Sequence, residues 1–306
     1  MSAMKQQAVQ AAQVKRTAEG QQGTSSYFLR SFNNGLITAL VVAIALLWSV
    51  PTFGLFISSF RPPQLLATTG WWTGLFPPWQ FTIRNYEQVI SAQGMGQAFL
   101  NSLIISIPGT LLPVLFGAFA AFAFSWMKFP LRNTLFFAIV ALLVVPGQIA
   151  LAPIYALFTQ LGLTGTYVAI WLAHTGFGLP FAVFLLRNFF AALPRDLMES
   201  AYVDGASNFR VFWTIILPLS VPALASLTIF QFMWVWNDLL NALIFLGGSP
   251  QVAPMTLVVA NLVGAYGENY QVLTAASFLT MALPLIIFFS MQRYFVRGIL
   301  AGSVKG

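Results

Sequence analysis

The sequence predicts an all-α membrane protein with six transmembrane helices, and three observations predict it. Hydrophobic residues make up 58% of the 306 and charged residues only 7%, against about 25% charged in a soluble domain. Mean hydropathy is +0.80, so most of the surface needs lipid as its solvent. The apolar residues are gathered into runs of about 20, the length that crosses a bilayer, and the cations fall between those runs.

Taken in order, residues 1–32 form a Gln-, Ala- and Ser-rich lead carrying Lys5, Lys15, Arg16 and Arg30. Its composition predicts a disordered cytoplasmic segment. Residues 36–60 are uncharged. That run exceeds a signal-peptide core of about 7–15 residues and predicts a retained first helix over 36–58. Five further spans are predicted over 99–126, 133–157, 167–186, 221–246 and 273–294. The stretch 133–186 lacks Lys, Arg, Asp and Glu, and Gly162-Leu163-Thr164-Gly165 divides it into two helices. Pro108, Pro113, Pro146, Pro153, Pro180, Pro222 and Pro284 fall inside the spans, where bundle neighbours must replace the lost helix bonds. Kinked packing is the simple reading, and kinks that permit rocking are the sharper one.

Charge sets the expected topology. With the N-terminus inside, Lys5, Lys15, Arg16, Arg30, Lys128, Arg132, Arg187, Arg195, Arg210, Arg293, Arg297 and Lys305 are cytoplasmic, and only Arg61 and Arg84 lie outside. That bias predicts both termini in the cytoplasm. It also places Trp71, Trp72, Trp79 and Tyr86 in the first outer loop. The same distribution argues against nucleic acid as the partner of the net +7 charge.

Candidate chemistry is sparse. The chain has no Cys, which removes disulfides, thiolates and Cys-ligated metals. No metal-ligand spacing, nucleophile elbow or GxxxxGK[ST] phosphate loop is present. The sequence therefore predicts a protein that is not an enzyme and binds no cofactor, driven by another polypeptide or by a gradient. His174, the only histidine, has no acidic neighbour in sequence and reads as a hydrogen-bonded core residue rather than a proton relay.

Between Arg187 and Pro222 the sequence becomes soluble in character. Pro194 suits a first helical turn, with Asp196 and Glu199 near the positive helix end. Gly205 permits a left-handed stop. Ser207 can cap a second helix that carries Phe209, Phe212, Trp213 and Ile216. The expected result is an L-shaped knob, which could equally be a loop resting on headgroups. In the fifth span, Gln231, Trp234, Asp238 and Asn241 share a stripe about 80° wide, with Asn237 at its edge. A carboxylate there should face the bundle interior or a wet cavity. Such groups suit sugar hydroxyls, and interhelical hydrogen bonding is the plainer alternative.

Glu199, Ala201, Gly205, Ile215, Leu217 and Pro218 match, in register, the loop Glu-Ala-Ala-x₃-Gly-x₉-Ile-x-Leu-Pro, with Ser200 for the first Ala. On these residues the chain resembles the permeases of binding-protein-dependent ABC importers. Pro146-Gly147-Gln148, Leu161-Gly162-Leu163, Phe184 to Phe190 and Trp236-Asn237-Asp238 are similar to the MalG-like, maltose-transporter branch, where Asp238 replaces an expected Glu. The resemblance implies a type I importer bundle over 33–298, with a coupling loop over 188–220. It implies that Glu199, Ala201, Asp204, Gly205, Phe209, Phe212 and Pro218 couple to a separate ATPase dimer that uses ATP and Mg. It further implies a paired homologous permease, an extracytoplasmic sugar-binding protein and a prokaryotic inner-membrane location. The tail over 299–306 would reach the ATPase through Gly302, Ser303, Val304 and Lys305. The stripe Gln231, Trp234, Asn237, Asp238 and Asn241 would line a sugar pathway. The rival class is a secondary transporter driven by an ion gradient.

Overall fold

The structure is a computed structural model that describes residues 35–92, 94–264 and 270–303; the predicted N-terminal lead lies outside them. The chain divides into two compact units, Met1–Ile57 and Ser58–Gly306. Of the first, the described part belongs to a single helix, α1 (Gly35–Ser59). Trp48, Leu47 and Leu46 on α1 are exposed, as are most of its apolar neighbours. A helix apolar all round is stable only where lipid or another helix covers it.

The second unit is all helix among its described residues. It runs α2 (Pro63–Thr68), a 3₁₀ turn (Trp71–Leu75), α3 (Arg84–Ala92), α4 (Met95–Trp126) and α5 (Arg132–Ala141, extended to Val144). Then follow α6 (Gly147–Gln160), α7 (Tyr167–Ala191), α8 (Arg195–Val203), α9 (Asn208–Leu219), α10 (Val221–Trp236), α11 (Leu240–Leu246), α12 (Met255–Gly264) and α13 (Tyr270–Ser303). Four helices, α1, α4, α7 and α13, are each long and apolar enough to cross a membrane. The pairs α5–α6 and α9–α10 qualify only as bent spans, which brings the total to six at most.

Two predicted spans are corrected. The third is not one helix, because α5 and α6 meet at 101°. Pro146 stands at the corner as the N-cap of α6, where its missing N–H breaks no helix bond. The fifth is not continuous over 221–246. It stops at Trp236 and resumes at Leu240, leaving α10 about 24 Å long at 1.5 Å per residue. By contrast, Pro108, Pro113, Pro153, Pro180 and Pro284 sit inside helices that continue through them.

The centre of the bundle is the α4–α7 pair, the largest contact in the unit. The two run parallel: Tyr167 donates to Asn101 at one end, and Ser125 donates to the Arg187 carbonyl at the other. The sequence permits the approach because Gly117 faces Ala182, where an added Cβ would lie 2.6 Å from the alanine's. Small residues let backbones close in where lipid offers no hydrophobic drive. α10 runs back antiparallel, with Leu227 beside Ala118 and Val235 beside Ile105.

The loop between α1 and α4 holds more structure than its sequence suggests. Arg61, read above as an outside charge, is buried; its guanidinium donates to the Gly70 carbonyl at 2.7 Å and to the hydroxyls of Thr69 and Thr73. Asn85 donates to the carbonyls of Ser59 and Arg61. These bonds fold residues 59–85 back on themselves while Trp72 and Trp79 remain exposed.

Candidate functional site

The knob is built from local rules. α8 starts one residue later than the sequence suggests, with Pro194 as its N-cap and Asp196 in its first turn. It ends in a paired-bond cap: Ala206 N–H donates to the Ala201 carbonyl at 2.9 Å and Gly205 N–H to the Tyr202 carbonyl at 3.0 Å. This is the Schellman arrangement, which requires a left-handed residue at its corner. Gly205 supplies it with φ +77°. The Ala201-to-Gly205 spacing is thus the spacing of the cap itself. Ser207 Oγ then accepts from Arg210 N–H and caps α9. The Tyr202 hydroxyl donates to Asn208 Oδ1 at 2.9 Å, tying the two arms together. Partial burial raises the tyrosine's pKa, so it stays a neutral donor.

Packing divides the knob into two sides. Met198, Val211, Phe212 and Ile216 are buried against Ala118, Ala121 and Phe122 of α4, Leu186 and Phe190 of α7, and Leu227 of α10. Ala201 packs on the edge of that cluster. The other side is bare: Val203 is 87% and Phe209 67% exposed, beside exposed Glu199, Asp204, Gly205 and Pro218. The expected Phe209/Phe212 face is therefore corrected. Phe212 stacks on Phe119 at 4.7 Å and meets Phe122 edge-on, whereas Phe209 meets Trp213. A π-turn over Phe212–Ile216 follows, and its wider winding changes the phase of the residues after Phe212.

The polar stripe is also rearranged. The break at Asn237–Leu239 destroys the continuous 80° face and sorts its members. Gln231 is buried, reaching the Gly109 carbonyl at 3.4 Å in space that Gly178 leaves for it. Asn241 is buried, whereas Asn237 and Trp234 are exposed. Asp238 Oδ1 accepts from Asn241 N–H, and Oδ2 stands 3.7 Å from His174 Nε2 with only 11% of its side chain exposed. His174 is fully buried, edge-on to Trp234.

The reading of His174 as a hydrogen-bonded core residue is half met: the side chain is fully buried, but its hydrogen bonds are missing. Neither of its ring nitrogens has a hydrogen-bond partner among the described residues. Sequence separation hid its partner, because Asp238 lies 64 residues away (238 − 174) on another helix. The sequence reading also missed the face of α4 that receives these groups. Asn101, Ile105, Gly109, Pro113 and Gly117 recur every four residues, with Ser102, Ser106 and Thr110 beside them, and apart from Ile105 these are small or polar. That spacing was a visible signal of close helix packing. Asn101 uses it to donate to the carbonyls of Gln251 and Ala253, pinning the loop after α11.

Of the tail, Gly302 and Ser303 end α13, which runs nine residues past the predicted span end at 294 (303 − 294). Val304 and Lys305 lie outside the described residues.

Comparison with known proteins agrees with this architecture. Residues 113–301 match the family described as "Binding-protein-dependent transport system inner membrane component". The chain is 53% identical to the osmoprotective compounds uptake permease protein GgtD of Synechocystis sp. over 87% of this chain and 90% of that one. It is 54% identical to the alpha-glucoside transport system permease protein AglG of Rhizobium meliloti over 76% of this chain, spanning 63% of that relative's length. Among solved structures, a bacterial ABC transporter involved in alginate import superposes with TM-score 0.71 at 20% identity, covering 85% of this chain and 96% of that one. That likeness fixes the fold as a type I importer permease. The gradient-driven alternative is set aside, and the chain belongs to the family of binding-protein-dependent transport system inner membrane components.

Proposed function

We propose that this chain is one permease subunit of an ABC importer for a sugar or glycoside. It pairs with a homologous permease to enclose the pathway, and a separate ATPase dimer, using ATP and Mg, docks on the knob. The observation that carries this reading is the knob's two-sidedness. A lever must be fixed to what it moves and bare toward what moves it, and the Met198–Ile216 seam and the Val203–Phe209 edge meet those two conditions. In the type I importer picture, closure of the ATPases shifts the knob and turns the bundle from inward- to outward-facing.

The topology follows from charge. Lys128, Arg132, Arg187, Arg195 and Arg210 lie at the knob end of the bundle, against Arg61 and Arg84 at the other. The knob end is then cytoplasmic, and an extracytoplasmic binding protein meets the opposite end. The relatives named for osmoprotective compounds, alpha-glucosides and, at 34% identity, arabinooligosaccharides support a carbohydrate-like solute. Gln231, Trp234, Asn237, Asp238 and Asn241 are the pathway candidates, and the α13 end with Gly302, Ser303, Val304 and Lys305 is a further ATPase contact.

The test is cross-linking. The chain has no native Cys, so a single Val203→Cys or Phe209→Cys reports one contact. Capture of a nucleotide-hydrolysing subunit in working membranes is expected from both. Capture from neither, at normal uptake, overturns the docking assignment.

A further inference from the structure

Four polar atoms around the α10–α11 break have no hydrogen-bond partner among the described residues: Nδ1 and Nε2 of His174, Oδ2 of Asp238 and Oδ1 of Asn241. Their side chains are nearly sealed, with His174 0%, Asn241 7% and the Asp238 side chain 11% exposed. Gly109 of α4 closes on the imidazole: a Cβ there would lie 3.5 Å from the His174 ring. Buried groups of this kind are normally all paired, and a bundle that had only to be stable would fill the space with apolar side chains.

We propose that His174 and Asp238 form a latch that holds the α10–α11 break closed against α7, and that the latch must part before Asp238 and Asn241 can meet solute. This deepens the pathway reading given above and rests on it. Three features make the contact fit for opening. At 3.7 Å it is longer than a hydrogen bond. Nothing else among the described residues bonds the imidazole, so no network has to be dismantled with it. Trp234, edge-on to the imidazole at 5.8 Å, is itself 40% exposed, so the ring that covers His174 on that side is within reach of the outside. The rigid surroundings are ready-made: Val235 and Gln231 of α10 press on Gly109 from the same side, so separating α10 from α4 and α7 exposes the whole cluster in one movement. His174 is then a positioning residue that acts through Asp238, and a buried pair of this kind is better suited to selecting a conformation than to adding stability.

The complete transporter, with paired permease and ATPase, provides the test. Ser106→Cys, buried in α4 within one helical turn of Gly109, is a near-isosteric reporter in a chain without Cys. In the His174→Leu background, labelling of that cysteine by a small membrane-impermeant thiol reagent is expected to quicken at least fivefold in the resting state. Resting ATP hydrolysis without binding protein should rise with it. His174→Gln, which keeps a donor, should restore both. Asp238→Ala should quicken labelling as much as His174→Leu does, with no further gain in the double variant. Unchanged labelling in His174→Leu and Asp238→Ala, at normal membrane yield, overturns the latch. The pathway reading fails separately: Asp238→Ala would then quicken labelling yet leave the KM for uptake untouched.

Discussion

The knob and the helix break are both short interruptions of helix, yet they are made in opposite ways. At the knob the bend is closed by local hydrogen bonds: the Ala206 and Gly205 N–H groups close the end of α8, and Ser207 opens α9. Its apolar side is welded into the largest hydrophobic cluster. At the break the side chains are left wanting, with unpaired atoms on His174, Asp238 and Asn241. Burying such an atom costs about 1–3 kcal/mol. The difference teaches where this protein keeps its stiffness and where it keeps its freedom. A lever has to transmit displacement without bending, so its joints are saturated. A gate has to have two states of similar free energy, so its closed state cannot be fully satisfied.

The largest effect should come from breaking the stiff end. Gly205→Pro replaces φ +77° with about −65° and deletes the N–H that donates to Tyr202, a change that costs about 3 kcal/mol or more. ATP-driven uptake should fall at least tenfold while the chain still reaches the membrane. Full uptake by that variant would show that the corner transmits nothing. Next is the contrast within α9. Phe212→Ala empties a site sealed to 1% exposure and should cost about 3–5 kcal/mol of stability in detergent. Phe209→Ala, three residues earlier, should cost less than about 0.5 kcal/mol but weaken association with the ATPase several-fold. Equal thermal shifts for the two would mean that the two rings do not belong to an exposed and a buried face.

How far each region was legible follows from the same contrast. The knob is written in nearest-neighbour chemistry, so Pro194, Gly205 and Ser207 announce it in the sequence to within one residue. Its π-turn is not announced, and neither are the contacts of Phe212 within it, a ring that packs on Phe119 and Phe122 of α4, far away in sequence. The break at Asn237–Leu239 was invisible to a hydropathy ruler: an uncharged run interrupted by a single Asp still averages as a span. Its polar stripe was identified correctly as unusual, but an unbroken helix gave it the wrong geometry. Arg61 shows the limit from the other direction. A cation between apolar runs reads as a topology marker, and only the tertiary fold reveals that it gathers Gly70, Thr69 and Thr73 around itself.

A moderate effect should come from the cap between the arms. Ser207→Ala removes the acceptor for Arg210 N–H and should cost about 1 kcal/mol. The Tyr202–Asn208 bond remains to hold the corner, so uptake should drop by less than half. A loss as deep as that of Gly205→Pro would mean the second arm carries the load alone.

The smallest change in stability is expected where the chemistry looks most dramatic. Removing one partner of a buried ion pair usually strands a charge and costs about 3–5 kcal/mol. Asp238→Asn should not behave that way, because the group it leaves behind is an imidazole, which carries no obligatory charge. The carboxylate it removes has Oδ2 without a partner and is held from the residues after it. Oδ1 accepts from Asn241 N–H at 3.4 Å, and the Asn241 side chain and the N–H groups of Leu240 and Ala242 are also turned toward it. The amide keeps that acceptor and exchanges an unsatisfied buried charge for a neutral dipole. Thermal unfolding in detergent should therefore move by no more than about 4 °C, roughly 1–2 kcal/mol for a chain of this size, while uptake kinetics change measurably. A large loss of stability would turn the reading round. Asp238 would then be a keystone of the fold, and the break would belong with the knob among the stiff parts of the molecule rather than opposite it.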